Sequence, residues 1–141
     1  MSKEIFVAAS YSSQVDYGTG EVFPEYKGWL EDILDNLETH GHKVFCALRA
    51  DQYKINNADP ATAYMLDKKH IKQADALLAL LDIKISSGVQ TEIGLAIGLG
   101  KQVILAHKPE DELTWFNKAL VRSGEASETY LPLDYSDLPF K

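Results

Sequence analysis

An acid stands where the surrounding pattern asks for a hydrophobic residue. Residues 86–100 read Ser-Ser-Gly-Val-Gln-Thr-Glu-Ile-Gly-Leu-Ala-Ile-Gly-Leu-Gly, so Glu92 lies early in a helix whose other positions include Val89, Ile93, Leu95, Ala96, Ile97 and Leu99. Two readings compete. A carboxylate near a helix N-terminus gains roughly 0.3–1 kcal/mol from the exposed N–H groups and needs no other purpose. Alternatively, it is held at the carboxyl edge of a parallel sheet, where open α/β folds bind ligands. A carboxylate on so rigid an element can stabilise positive charge or act as a nucleophile. Ser86, Ser87 and Gly88 precede it with hydroxyls and backbone N–H groups suited to an anion. Asp67 is a second acid at a mid-helix position, where Asp is a mediocre helix former. Ser10 and Tyr11 open a loop rich in hydroxyls and glycines, running to Gly20.

The elements that must position these residues follow from the hydrophobic pattern. Apolar runs at 5–9, 43–48, 76–81 and 101–106 lack polar alternation, as strands buried on both faces do. Between 24 and 39 the residues Trp29, Leu30, Ile33, Leu34 and Leu37 recur at helical spacing, with Glu31, Asp32, Asp35 and Glu38 on the other face. Gly41 is a natural stop for that helix. The turn cluster Asn56-Asn57-Ala58-Asp59-Pro60 leads into a second helix over 61–74, with Ala63, Leu66 and Ile71 among its apolar positions. A last helix spans 113–122 and carries Trp115 and Phe116; a short strand near 129–135 ends at Pro132. Strands alternating with helices imply a parallel sheet with right-handed crossovers. The expected architecture is one flavodoxin-like α/β domain over residues 1–141, strand order 2-1-3-4-5. That order sets the loops at 10–20 and 82–90 on either side of the switch point, and so favours the ligand-facing reading of Glu92.

Composition narrows the partners. The chain of 141 residues has 45% hydrophobic and 25% charged residues, ordinary for one globular domain. Its net charge of −7 excludes a nucleic-acid backbone as the expected partner. Cys46 is the only cysteine and reads as a buried structural thiol, compatible with a reducing compartment. No apolar run reaches the roughly 18 residues of a membrane span, and the N-terminus lacks a signal core, so a cytoplasmic location is expected. His40 and His42 have no Cys or acid completing a ligand set at zinc spacing, and neither metal nor cofactor is expected. Gly94, Gly98 and Gly100 lie within and after the helix rather than in the turn before it, so they make no dinucleotide fingerprint. Gly94 and Gly98 share one helix face, which suggests close packing on the sheet.

Two segments together resemble the nucleoside 2-deoxyribosyltransferase superfamily, which includes the 2′-deoxynucleoside 5′-phosphate N-hydrolases. One is Ser86-x-Gly88-Val89-x-x-Glu92-Ile93-Gly94-x-Ala96 followed by Gly100-Lys101-Gln102-Val103-Ile104-Leu105; the other is Asp67-x-x-x-Ile71-x-x-Ala74-Asp75. The resemblance spans about residues 5–115. It implies Glu92 as nucleophile, Asp67 as a contact to the sugar, and a homodimer in which the partner completes each pocket. Phe6 stands where the family carries a Tyr that orients the Glu, and Tyr11 is the nearest alternative hydroxyl. Ser12 stands where the nucleotide hydrolases carry an Arg, whereas Ser86, six before the nucleophile, matches the phosphate-binding members.

The chemistry implied is cleavage of the N-glycosidic bond of a nucleoside or its 5′-monophosphate. Positive charge grows on the sugar, and Glu92 traps it. The helix N-terminus is expected to keep Glu92 ionised. Ser86, Ser87 and the Gly88 N–H receive the 5′ end, Asp67 binds sugar hydroxyls or helps the base leave, and Thr114 offers a further hydroxyl. Water as acceptor makes a hydrolase and a second nucleobase makes a transferase. An NAD-cleaving enzyme or a non-catalytic nucleotide-binding module are the other readings open at this stage.

Overall fold

The computed structural model describes residues 2–55, 59–81 and 86–141. Residues 56–58 of the expected turn cluster and residues 82–85 of the expected loop before Ser86 lie outside them. In chain order the elements are β1 (Glu4–Ala9), β2 (Val15–Asp16), β3 (Glu21–Val22), α1 (Pro24–Thr39), β4 (Lys43–Phe45), α2 (Ala47–Ala50), α3 (Pro60–Gln73), β5 (Ala76–Leu80), α4 (Ser87–Gly98), β6 (Gln102–His107), α5 (Trp115–Arg122) and β7 (Ser127–Tyr130). Five strands form one parallel sheet in the order β4-β1-β5-β6-β7, which is the expected 2-1-3-4-5 flavodoxin-like topology. From β1 the chain moves outward to β4 and then crosses back past β1 to β5, so the strand order reverses beside β1 and a crevice opens at the carboxyl ends of β1 and β5.

The doubly apolar strands serve two cores. Ile5, Val7, Leu78, Leu80, Ile104 and Ala106 face the α1 side with Leu30, Ile33, Leu34 and Leu37. Phe6, Ala8, Leu77, Ala79, Val103 and Leu105 face the other side, under Ile71 of α3 and Val89, Ile93 and Ala96 of α4. Alternation within each strand therefore splits the run between two layers rather than between core and water.

Several expectations are corrected by packing. The second strand stops at Phe45; Cys46 is buried as the residue before α2, and burial pushes its thiol up to about 11. The loop after β1 is ordered: a 3-10 turn (Ser12–Gln14) leads into the β2–β3 hairpin. Trp29, expected among the apolar positions of α1, is 38% exposed because its neighbours Leu30 and Ile33 take the buried stripe. In α3 only Ile71 is buried, while Ala63 and Leu66 face out. The last helix begins two residues later than expected, at Trp115, because Thr114 caps it. The final strand comes a little early, pairs parallel with β6 at the sheet edge, and ends before Pro132.

Gly100, at φ +72°, ends α4 in the left-handed region that glycine enters without strain. Gly94 and Gly98 behave otherwise than expected. Both are exposed, and a Cβ built on either would meet nothing within 4 Å. They do not pack on the sheet, since Val89, Ile93 and Ala96 occupy that face. For the isolated chain, Gly98→Ala should therefore raise helix stability by about 0.5–1 kcal/mol in urea denaturation. A loss of stability would mean that something covers this face.

Candidate active site

Glu92 lies in the second turn of α4, where the side chain turns toward α3 rather than into the sheet. Ser86 starts that helix, its Oγ accepting from the Val89 N–H at 3.3 Å. Across from it α3 is started by Asp59, whose carboxylate accepts from the Thr62 N–H at 3.2 Å. These two caps set the phases of neighbouring helices so that Glu92 and Asp67 hydrogen-bond to each other. The pair lines a hollow of about 290 Å³ with Tyr11, Ser86, Ser87 and Gly88, floored by Phe6 and Val89. A shallower extension of the same hollow carries Tyr64, Thr91 and Leu95.

Electrostatics in the hollow reverse one expectation. Burial, then the neighbouring Asp67 charge and the hydrogen bond to it, push Glu92 up to about 9. Asp67 is also held above the ordinary carboxylate range, chiefly by burial. The helix N-terminus does not keep Glu92 ionised, because its small favourable effect is opposed by desolvation and a like charge at contact distance. The two carboxyls share a proton and titrate as a pair.

The predicted site residues divide between two places. Glu92, Asp67, Tyr11, Ser86, Ser87 and Gly88 come together in the hollow just described. Ser10 and Thr114 do not reach it. They line a neighbouring cavity of about 210 Å³ on the α5 side, which shares only Ser86 and Val89 with the hollow. Thr114 Oγ1 is occupied by the Asn117 N–H, and Ser10 Oγ by Ser13 Oγ at 2.6 Å. The Tyr11 hydroxyl does not orient Glu92. It donates to the Lys54 carbonyl at 2.5 Å and faces Asp51 Oδ2 at 3.3 Å, and burial with the Asp51 charge raises its pKa. Phe6 is fully buried and packs against Phe45, whose ring stacks on His70 at 3.6 Å. The hydrogen-bond partner of Glu92 among the described residues is Asp67.

Asp51 and the amide pair Gln90–Asn117, which bridges α4 and α5 by two hydrogen bonds of 3.1 Å, had no signal in the sequence. Each depends on contacts between residues far apart in the chain. His40 stacks on Tyr135, and His42 accepts from the Lys3 N–H through Nδ1.

A profile of the family described as nucleoside 2-deoxyribosyltransferase matches residues 18–129. The chain belongs to this family. Its fold is similar to the Clostridium botulinum CMP N-glycosidase BcmB, with TM-score 0.68 and 22% identity over 93% of this chain and 90% of that one. It is similar to BlsM in solution, with TM-score 0.74 and 21% identity over 94% and 82% of the two chains. The 2-deoxyribosyltransferase of Bacillus psychrosaccharolyticus gives TM-score 0.67 and 21% identity over 98% and 92%. No curated protein matches the chain. Membership makes it an enzyme of N-glycosidic chemistry, glycosidase or transferase. Among the described residues no helix is long and apolar enough to cross a membrane.

The raised carboxyls have a measurable consequence. Between about pH 5 and pH 9 the folded protein keeps a proton on Glu92 that the unfolded chain releases near its ordinary value of 4.5. The native state then binds more protons than the unfolded one, so stability falls as pH rises through this window. Glu92→Gln should flatten that fall and leave the variant more stable than the parent at pH 8, by on the order of 1–3 kcal/mol in chemical denaturation. An unchanged pH profile would show that Glu92 is ionised in the folded state.

Proposed function

We propose that the protein cleaves the N-glycosidic bond of a nucleoside or its 5′-monophosphate, with Glu92 as nucleophile and water as final acceptor. The observation that carries this reading is the hydrogen-bonded Glu92–Asp67 pair in the crevice at the switch point. Two acids so placed can exchange one proton. When Asp67 holds it, Glu92 is a bare carboxylate in a hollow floored by apolar side chains, where it attracts the positive charge that grows at C1′. Glu92 then bonds to C1′ as the carbon–nitrogen bond breaks; the bond's electron pair leaves with the base, which takes up the proton held by Asp67, and Asp67 later recovers a proton from the attacking water. Water attacks C1′ of the glycosyl ester, frees the sugar and restores the carboxylate. Ser86, Ser87 and the Gly88 N–H at the start of α4 receive the 5′ end, as a helix N-terminus favours. Tyr11, held by Lys54 and Asp51, also lines the hollow.

The test is free-base release from a panel of nucleosides and nucleotides. Glu92→Gln keeps the side chain's shape and should lower kcat by about a thousandfold or more while the protein stays folded. Near-normal turnover would reduce Glu92 to a helix-terminal charge and end this reading.

We also infer a homodimer. Tyr64, Met65 and Leu66 on α3 and Trp115 and Phe116 on α5 are 44–77% exposed, large apolar side chains that a second copy would cover. Sedimentation at micromolar concentration should give twice the chain mass, and Leu66→Glu with Trp115→Glu should shift it toward monomer. A monomer at all concentrations would overturn this inference.

A further inference from the structure

Glu92 and Asp67 stand where two spaces meet. One is the hollow of about 290 Å³ with Phe6, Tyr11, Leu48 and Ser86; the other is its extension of about 260 Å³, walled by Tyr64, Thr91 and Leu95. The two acids, Ser87 and Gly88 line both. Helix geometry explains the second space. Tyr64 lies one turn before Asp67 on α3, while Gly88, Thr91 and Leu95 recur on α4 at spacings of three and four, with Glu92 among them. A stripe of each helix therefore faces the other across a groove that holds the acid pair. Gly88 brings no side chain to it, which keeps the space beside Tyr64 open.

A nucleoside is divided at the corresponding point. Its sugar and base meet at the bond from C1′ to nitrogen, and a nucleophile for C1′ must lie beside that bond. Acids at the junction thus leave one space for each half. The order of events says which half goes where. The base departs first and needs the space that opens to solvent; the sugar stays bonded to Glu92 until water arrives and belongs in the more enclosed one. Tyr64 is 44% exposed, whereas Phe6 at the floor of the hollow is fully buried. The linings agree with this division. Tyr64 offers an aromatic ring and Leu95 an apolar flank to a flat base, and Ser86, which lines only the hollow, remains with the 5′ end. Thr91 Oγ1 donates to the Ser87 carbonyl at 2.9 Å, so toward the base it is an acceptor.

We propose that the groove between α3 and α4 is the nucleobase subsite and that the base stacks on the ring of Tyr64, an inference that rests on the N-glycosidase reading of the acid pair. Of the three large apolar residues exposed on α3, Tyr64 alone lines the groove. Stacking on a ring rewards the area of the base, so purine nucleosides are the favoured substrate class.

The experiment measures base release from 2′-deoxyadenosine, 2′-deoxycytidine and their 5′-monophosphates by the parent, Tyr64→Ala and Tyr64→Phe. The parent should favour the adenine compounds. Tyr64→Ala should raise their KM about tenfold while kcat stays within about threefold, and Tyr64→Phe, which keeps the ring, should match the parent. Free adenine should inhibit the parent, and about tenfold less well in Tyr64→Ala. Inhibition by 2-deoxyribose 5-phosphate, which carries no base, should be the same in both. An unchanged KM in Tyr64→Ala overturns the subsite, as does a preference for cytosine compounds or a Tyr64→Phe variant as impaired as Tyr64→Ala. Equal losses for adenine and the sugar phosphate also overturn it, since a change in folding or assembly would weaken both alike. If no compound releases its base, the N-glycosidase reading fails by itself. Calorimetry with adenine then decides the subsite: binding that weakens about tenfold in Tyr64→Ala supports it, and unchanged or absent binding refutes it.

Discussion

Two carboxyl groups in hydrogen-bond contact inside a poorly solvated crevice govern the architecture around them. Glu92 and Asp67 would repel each other if both were ionised, and burial penalises even one charge. Their proximity persists only because α3 and α4 are fixed independently by the apolar core beneath. Ile71, Val89, Ile93 and Ala96 press on Phe6, Ala8, Leu77 and Ala79, so the helices cannot separate to relieve the pair. Core packing here sustains an unfavourable arrangement that chemistry can use.

The first strand brings no hydroxyl to this pair. Phe6 lies flat in the core with Phe45 and leaves no donor beneath Glu92, while the Tyr11 hydroxyl is committed to Asp51 and Lys54. Orientation of Glu92 passes to Asp67, a group that can also carry a proton.

Ser86 occupies a pivotal position. Its hydroxyl caps α4, and its residue borders both the carboxylate hollow and the polar cavity on the α5 side. One residue thus borders both the hollow of Glu92 and Asp67 and the cavity lined by the buried Ser10, His107 and Asn117. The amide bridge from Gln90 to Asn117 ties α5 to the helix that carries Glu92, so the walls of the two spaces form one rigid unit.

Much of this was legible in the chain itself. Unbroken apolar runs marked the strands of a doubly covered sheet, the periodicity of residues 24–39 marked α1, and the solitary acid of an apolar helix marked Glu92. These signals are local: each depends on residues a few positions apart, and burial on both faces of a strand or one face of a helix writes them directly into residue order. What could not be read there depended on partners distant in sequence. Trp29 and Leu66 fit their helices' apolar pattern yet face out, because periodicity identifies a face without showing whether another layer covers it. Gly94 and Gly98 share a face that proved to be open rather than packed. Glu92 looked ionised from its helix position alone; only the fold brings Asp67, twenty-five positions earlier, into hydrogen-bond contact and desolvates both. Residue order determined the strands, the helices and the acid. The tertiary structure decided its protonation and divided Ser10 and Thr114 from the remaining site residues, since solvation and charge depend on distances in space.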